Sequence, residues 1–265
     1  MTKTILITGA TDGIGLETAK MMAPLGHTLL LHGRSAEKLV AAAKAVSAIE
    51  GAGNIKTYQA DLTDLAQVKA MAEQLKDDFS SLDVLINNAG VFKMSNPVTR
   101  DGFDARFIVN VVAPYLLTKE LLPLIGPDGR VVNLSSAAQA PVNLSAFVEK
   151  HAFGDGEAYA QSKLALTMWS IGMAHELGTS GPMIVAVNPA SFLGSKMVKE
   201  AYGHPGHDLR IGADILTRAA LSDEFAEASG RYYDNDRKTF ADPHPDALDS
   251  AKNQRVIDVL ESFIS

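Results

Sequence analysis

The sequence predicts an α/β fold, a doubly wound parallel sheet covered by helices on both faces. Two observations predict it. Short runs of β-branched residues and leucine recur at positions 4–8, 28–32, 55–59, 84–87, 130–134 and 183–188, and near-continuous apolar runs of this length belong to strands buried on both faces. Between them lie stretches of helical spacing at 15–22, 36–49, 65–78, 104–124 and 157–177. Strand–helix alternation of this kind gives a Rossmann-like three-layer αβα domain.

Local signals agree with these elements. Ser35 and Asp64 each stand where a helix N-cap is expected, and Gln67 follows Asp64 at capping-box spacing. Two stretches break the rhythm, 137–156 and 189–209, and both follow strands at the end where ligands of open α/β sheets bind. The second reads as a substrate lid over about 189–210. The tail beyond Pro243 and Pro245 reads as a final amphipathic helix over about 246–264, with Val256, Leu260 and Ile264 on its apolar side. No linker or repeat divides the 265 residues, which read as a single domain.

Bulk properties exclude several classes. The composition, 46% apolar and 21% charged, is that of a soluble globular protein. No apolar run reaches the ~18 residues of a membrane span. The apolar stretch at the start is too short for a signal peptide and leads straight into the first strand. Without cysteine there are no disulfides or thiolate metal sites. A formal charge of −7 argues against a nucleic-acid partner. A cytoplasmic enzyme is expected.

A glycine loop follows the first strand: Thr8, Gly9, Ala10, Thr11, Asp12, Gly13, Ile14 and Gly15. Glycines there permit a tight turn and let a pyrophosphate approach backbone N–H groups at a helix N-terminus. The second strand ends at His32, Gly33 and Arg34. NAD sites place an acidic residue about 20 residues beyond the glycines, on the ribose 2′-hydroxyl. Gly33 instead leaves room and Arg34 can neutralise a 2′-phosphate, which favours NADP(H) over NAD(H).

Tyr159 and Lys163 stand four apart in a helical stretch, so phenol and ammonium share a face. A tyrosine pKa near ~10 is too high for proton transfer at neutral pH, and a neighbouring cation lowers it. Three further segments lie in order at strand ends or in a helix. Asn87, Asn88, Ala89 and Gly90 follow the fourth strand, where small residues and amides can border a cofactor. Asn110 sits in an apolar helical stretch and needs partners if buried. Ser135 and Ser136 close the fifth strand with a pair of hydroxyls.

With these motifs the sequence resembles the short-chain dehydrogenase/reductase family, in its single-domain branch, from Thr4 to about Pro189. The resemblance implies a catalytic tetrad of Asn110, Ser136, Tyr159 and Lys163. Tyr159 would transfer the proton and Ser136 would hydrogen-bond the substrate oxygen; the second serine of such a pair is usually the catalytic one. Lys163 would bind the nicotinamide ribose, and Asn110 would hold a water linking Lys163 to solvent. Gly9, Gly13 and Gly15 would take the pyrophosphate with Thr11, Asp12 and Ile14. Asp61 and Leu62 would contact the adenine, and Asn88, Ala89 and Gly90 would lie beside the cofactor.

Two departures stand out. The stretch between Ser136 and Tyr159, with Phe147 and Phe153, is longer than in many relatives and looks like the loop of retinol dehydrogenase-like members. After Pro189, relatives commonly have glycine and then a threonine that contacts the nicotinamide carboxamide. Here Ala190 replaces the glycine, and Ser195 is the approximate stand-in for the threonine.

The implied reaction is hydride transfer between NADP(H) and a carbonyl or alcohol. Phe92, Met94, Phe192, Leu193, Met197, Val198 and Tyr202 suggest a partly apolar substrate pocket. The alternative is a non-catalytic dinucleotide-sensing regulator on the same fold, which should have lost a tetrad member; none is lost. An epimerase or dehydratase would need a larger C-terminal region. His204 and His207, separated by Pro205 and Gly206, read as a solvated turn and not a metal site. The family resemblance also implies a possible homodimer or homotetramer formed through the long helices.

Overall fold

The computed structural model describes residues 2–148, 153–195, 198–199, 203 and 205–264. The described chain forms one eight-stranded sheet in the order β3-β2-β1-β4-β5-β6-β7-β8. The strands are β1 (Thr4–Ile7), β2 (Thr28–Gly33), β3 (Ile55–Gln59), β4 (Val84–Asn87), β5 (Arg130–Leu134), β6 (Met183–Asn188), β7 (Arg231–Asp234) and β8 (Thr239–Ala241). All neighbours pair in parallel except β8, which runs antiparallel to β7 with Tyr233 opposite Phe240. The helices are α1 (Gly13–Met22), α2 (Ala36–Ser47), α3 (Leu65–Asp78), α4 (Ala105–Phe107), α5 (Ala113–Leu121), α6 (Ser145–Val148), α7 (Asp155–Leu177), α8 (Leu209–Leu221) and α9 (Ser250–Ile264). A π-helical segment, Ile108–Val112, joins α4 to α5.

Alternation along the central strands sorts the core into two layers. Leu6, Leu30, Leu85, Val131 and Ile184 face the layer containing α3, α5, α7 and α9. Ile5, Ile7, Leu29, Leu31, Ile86, Val132 and Val185 face the layer of α1, α2 and α8. The first six strands lie where the sequence places them. The expected pattern missed β7, β8 and α8. β7 and β8 are four and three residues long, too short for a periodicity to show.

The predicted tail helix divides into a 3₁₀ turn, Pro245–Leu248, and α9. Val256 and Leu260 of α9 are buried, Glu261 accepts hydrogen bonds from Lys119 and Tyr115 of α5, and Phe263 meets Phe103 edge-on. On α7, a Cβ at Gly172 would fall 2.6 Å from Ile257 Cδ1, so glycine lets the two helices close. Covered by the sheet on one side and α9 on another, α7 is buried at nearly every position from Gln161 to Ala174. No described helix is long and apolar enough to cross a membrane.

The chain leaves β1 toward β2 on one side and reaches β4 on the other, so a crevice opens at the carboxyl ends of β1 and β4. The loop across this crevice is fixed from three directions. The Asn88 amide donates to Thr8 O at 2.8 Å and Gly9 O at 3.2 Å. The Ala89 N–H donates to Thr8 Oγ1. His32, buried at the end of β2, accepts from the Gly9 N–H through Nδ1 at 3.2 Å, which places its ring proton on Nε2, 3.1 Å from Ala60 O.

Burial lowers the His32 pKa to about 4, against the opposing pull of the Ala60 carbonyl and Asp61. The folded state therefore resists protonation of this ring. Its contribution is complete above the unfolded value near 6.5 and is lost as the pH falls toward 4, by about 3 kcal/mol in all. Thermal melts between pH 4 and 7 are expected to show His32→Asn less stable than wild type at pH 7 and with a flatter acid limb. An unchanged slope would show that His32 does not carry it.

Candidate active site

A cavity of about 1090 Å³ runs along the carboxyl ends of the parallel strands. At one end the N-terminus of α1 faces it. Asp12 caps this helix, its carboxylate accepting the Gly13 N–H at 2.7 Å. Gly9 (φ +65°) and Gly13 (φ +57°) are left-handed. A Cβ on Gly15 would lie 2.5 Å from Gly9 O, and one on Gly9 would lie 2.9 Å from Ala89 Cα. The glycines thus serve close backbone approach as well as turning.

Gly33 closes β2 beside Thr11, whose Cγ2 would stand 2.5 Å from a Cβ there. Arg34 follows at the cavity edge, exposed and in no ion pair among the described residues. Lys38, one turn into α2, lines the same edge. Ser35 caps that helix by accepting the Lys38 N–H. Asp61 holds Thr63 through its N–H and hydroxyl, at 2.9 and 2.8 Å, and Leu62 beside it is buried.

At the other end lie the tetrad positions. Lys163 is 3% exposed. Its ammonium donates to Leu134 O at 2.6 Å and stands 5.6 Å from the Tyr159 ring centre. Burial lowers its pKa to about 8. Tyr159 is half-buried and lies against Phe92, ring centres 4.7 Å apart. The two serines differ. Ser135 is buried and shares a 2.7 Å hydrogen bond with Thr167. Ser136 lines the cavity, and its Oγ accepts from the Ala138 N–H at 3.1 Å.

Asn110 stands in the π-helical segment, fully buried. Its carbonyl accepts the Val91 N–H at 2.8 Å, and its NH₂ donates to Val91 O and Ser162 Oγ, both at 3.0 Å. Both amide hydrogens are committed to protein partners. The side chain therefore ties the segment after Asn88, Ala89 and Gly90 to the first turns of α7.

Residues 189–191 form a ledge on the cavity wall. Ala190, the replacement for glycine, has φ +110°. Such a conformation costs an L residue on the order of 1–3 kcal/mol. Pro189 O accepts from Asn235 Nδ2. Ser195 lines the cavity opposite Gly13, and its Oγ accepts the Val198 N–H.

Phe92, Met94, Phe192, Leu193 and Val198 line the cavity. Met197, Tyr202 and His204 lie outside the described residues. Phe147 and Phe153 of the long loop do not reach it; both rings pack against Phe107, at 5.0 and 5.8 Å. His207 is exposed and bonds through its backbone to Phe192 and Gly194. Among the described residues no three His, Asp or Glu side chains gather to hold a metal. Sequence reading missed His32, Lys38 and the turn after β7. Lys38 had a signal, a second cation one turn after Arg34.

Residues 3–205 match the short chain dehydrogenase family. Retinol dehydrogenase 13 of Homo sapiens is 29% identical over 96% of this chain and 82% of its own length. Polyprenol dehydrogenase of Mus musculus is 30% identical over 95% and 80%. A solved structure from Mycobacterium paratuberculosis superposes with a TM-score of 0.82 at 27% identity, over 99% of this chain and 93% of that one. A short chain dehydrogenase from Burkholderia cenocepacia J2315 in complex with NADP gives 0.72 at 27% identity, over 88% and 95%. With the same sheet and a match over most of its length, the chain is an oxidoreductase that belongs to the short-chain dehydrogenase family and has a retinol dehydrogenase-like relationship.

Proposed function

We propose that the protein transfers hydride between NADP(H) and an alcohol or carbonyl compound, with Tyr159 as proton donor and acceptor. The observation that carries this reading is the buried Lys163 ammonium beside the half-buried Tyr159 ring, at one end of a cavity whose other end is a glycine loop. The residues present suit a dinucleotide. The cradle at Gly9, Gly13 and Gly15 is one that Cβ atoms would fill, and two cations border the cavity beyond it.

Gly9, Thr11, Asp12, Gly13, Ile14 and Gly15 would hold the pyrophosphate. Gly33, Arg34 and Lys38 would hold the 2′-phosphate, with Asp61 and Leu62 on the adenine. Asn88, Ala89 and Gly90 would flank the cofactor, and Lys163, Pro189 and Ser195 the nicotinamide half. When bound, the cofactor supplies or accepts the hydride. For carbonyl reduction, the Tyr159 hydroxyl gives its proton to the substrate oxygen. The Ser136 hydroxyl, whose oxygen already accepts from Ala138, keeps its own proton to donate to that oxygen. The Lys163 cation favours the phenolate left on Tyr159. Phe92, Met94, Phe192 and Val198 would receive a partly apolar substrate. The names of the retinol and polyprenol dehydrogenases support an apolar alcohol.

Three outcomes are expected. Tyr159→Phe should lower kcat about 10²–10⁴-fold with NADPH affinity nearly unchanged, measured by cofactor absorbance and fluorescence titration across a carbonyl and alcohol screen. Near-normal turnover would sink the mechanism. Because Lys163 is protonated below about pH 8 and neutral above it, kcat/KM for carbonyl reduction should fall above that pH. Removing both cations in Arg34→Ala/Lys38→Ala should weaken NADPH by about 10–100-fold and leave NADH unaffected; equal losses for both cofactors would refute the 2′-phosphate role.

A further inference from the structure

The end of β7 and the turn after it present three polar side chains, Asp234, Asn235 and Asp236, to the back of the ledge at 189–191. Asp236 Oδ1 accepts the Ser191 N–H at 2.8 Å, and its Oδ2 accepts the Ser191 hydroxyl at 2.7 Å. Oδ2 also accepts from Asn188 Nδ2 at 2.9 Å, which Asp234 Oδ1 shares. Asn235 Nδ2 donates to Pro189 O at 3.0 Å, and its N–H to Asn188 O at 3.1 Å. Residues 188, 189 and 191 are therefore each pinned by this turn, and Ala190 lies between the pins at φ +110°.

That arrangement reverses the usual relation between a glycine and its surroundings. An alanine does not choose this conformation; its neighbours must hold it there. Asp236 makes three of the bonds and does not itself line the cavity. Burial acts to raise its pKa, but hydrogen bonds from Ser191 and Asn188 and the field of His207 hold it below the ordinary carboxylate value. At working pH both oxygens are full acceptors.

We propose that Asp236 is a positioning residue that pins the chain on both sides of Ala190 and so holds the ledge in its cofactor-facing conformation. A carboxylate on a distant strand turn thus supplies the constraint that backbone freedom would supply at a glycine. The assignment rests on the reading of the cavity as a dinucleotide site. The neighbouring Tyr232 ties a different part of the cavity wall: its phenol, kept protonated by burial, donates to Ser136 O at 3.1 Å.

The test is a double-mutant cycle of D236A and A190G, read by NADPH fluorescence titration and by thermal melts of the cofactor-free protein. D236A is expected to weaken NADPH at least tenfold, and D236A/A190G to recover most of that loss, because glycine populates the ledge conformation unaided. A190G should raise Tm more with Asp236 present than without it, since strain exists only where the clamp enforces it. NADPH affinity of D236A within twofold of wild type, or a double variant as weak as D236A, overturns the proposal. Should D236A fail to fold, D236N keeps one acceptor oxygen and is expected to show an intermediate loss; wild-type affinity overturns the proposal equally. If the wild-type protein binds neither NADPH nor NADH, the dinucleotide reading falls. The Tm cycle then decides the clamp alone, and equal gains from A190G in both backgrounds overturn it.

Discussion

Burying an ammonium group is the constraint around which this site is built. A cation taken out of water costs several kcal/mol unless protein dipoles replace its hydration, and Lys163 has the Leu134 carbonyl as its hydrogen-bond partner. That bond requires α7 to lie against the end of β5. The helix is held there along one stripe: the Lys163 and Thr167 turn bonds to Ser135, and Ser170 accepts from Asn133. Positions 163, 167 and 170 share a helix face, so the stripe that fixes the lysine also fixes the orientation of Tyr159, one turn earlier.

The entrance to α7 is held by a different means. Arg106 of α4 is buried, pairs through two nitrogens with Asp104 at 2.8 and 2.6 Å, and reaches Asp155 in the first turn of α7 at 2.5 Å. Between this ion group and the β5 stripe, Asn110 joins the π-helical segment to Ser162. Its amide is fully engaged with Val91 and Ser162, which makes it a structural tie between the cofactor-side loop and the Tyr159 helix.

Much of this was legible in the residues. Strands buried on both faces announce themselves as apolar runs, which is why β1, β2, β4, β5 and β6 could be placed from residue type; the edge strand β3, mostly not buried, shows only through its β-branched residues. The glycine loop, the Tyr159–Lys163 pair and the second serine are each local patterns within a few positions. What could not be read depends on pairing across long separations. Asp236 acts on residues some 45 positions earlier, and His32 reaches Gly9 and Ala60 from the end of a strand that otherwise reads as a leucine run. Both are ordinary polar residues until the sheet order sets their neighbours. Residue type likewise does not show where the long loop packs: Phe147 and Phe153 both meet Phe107, which lies more than 35 positions earlier in the chain.

The clamp on the ledge also orders events in time. The glycine loop, Arg34 and Lys38 are complete within the first forty residues, whereas Asp234, Asn235 and Asp236 come from the last forty. At translation rates of about 5–20 residues per second, roughly 10–40 seconds separate the two halves of one wall-to-wall cavity. During that interval Ala190 is made and emerges with nothing to hold its backbone left-handed. Synthesis therefore supplies the glycines and cations of the cradle first, and the residues that pin the ledge only with the β7–β8 hairpin.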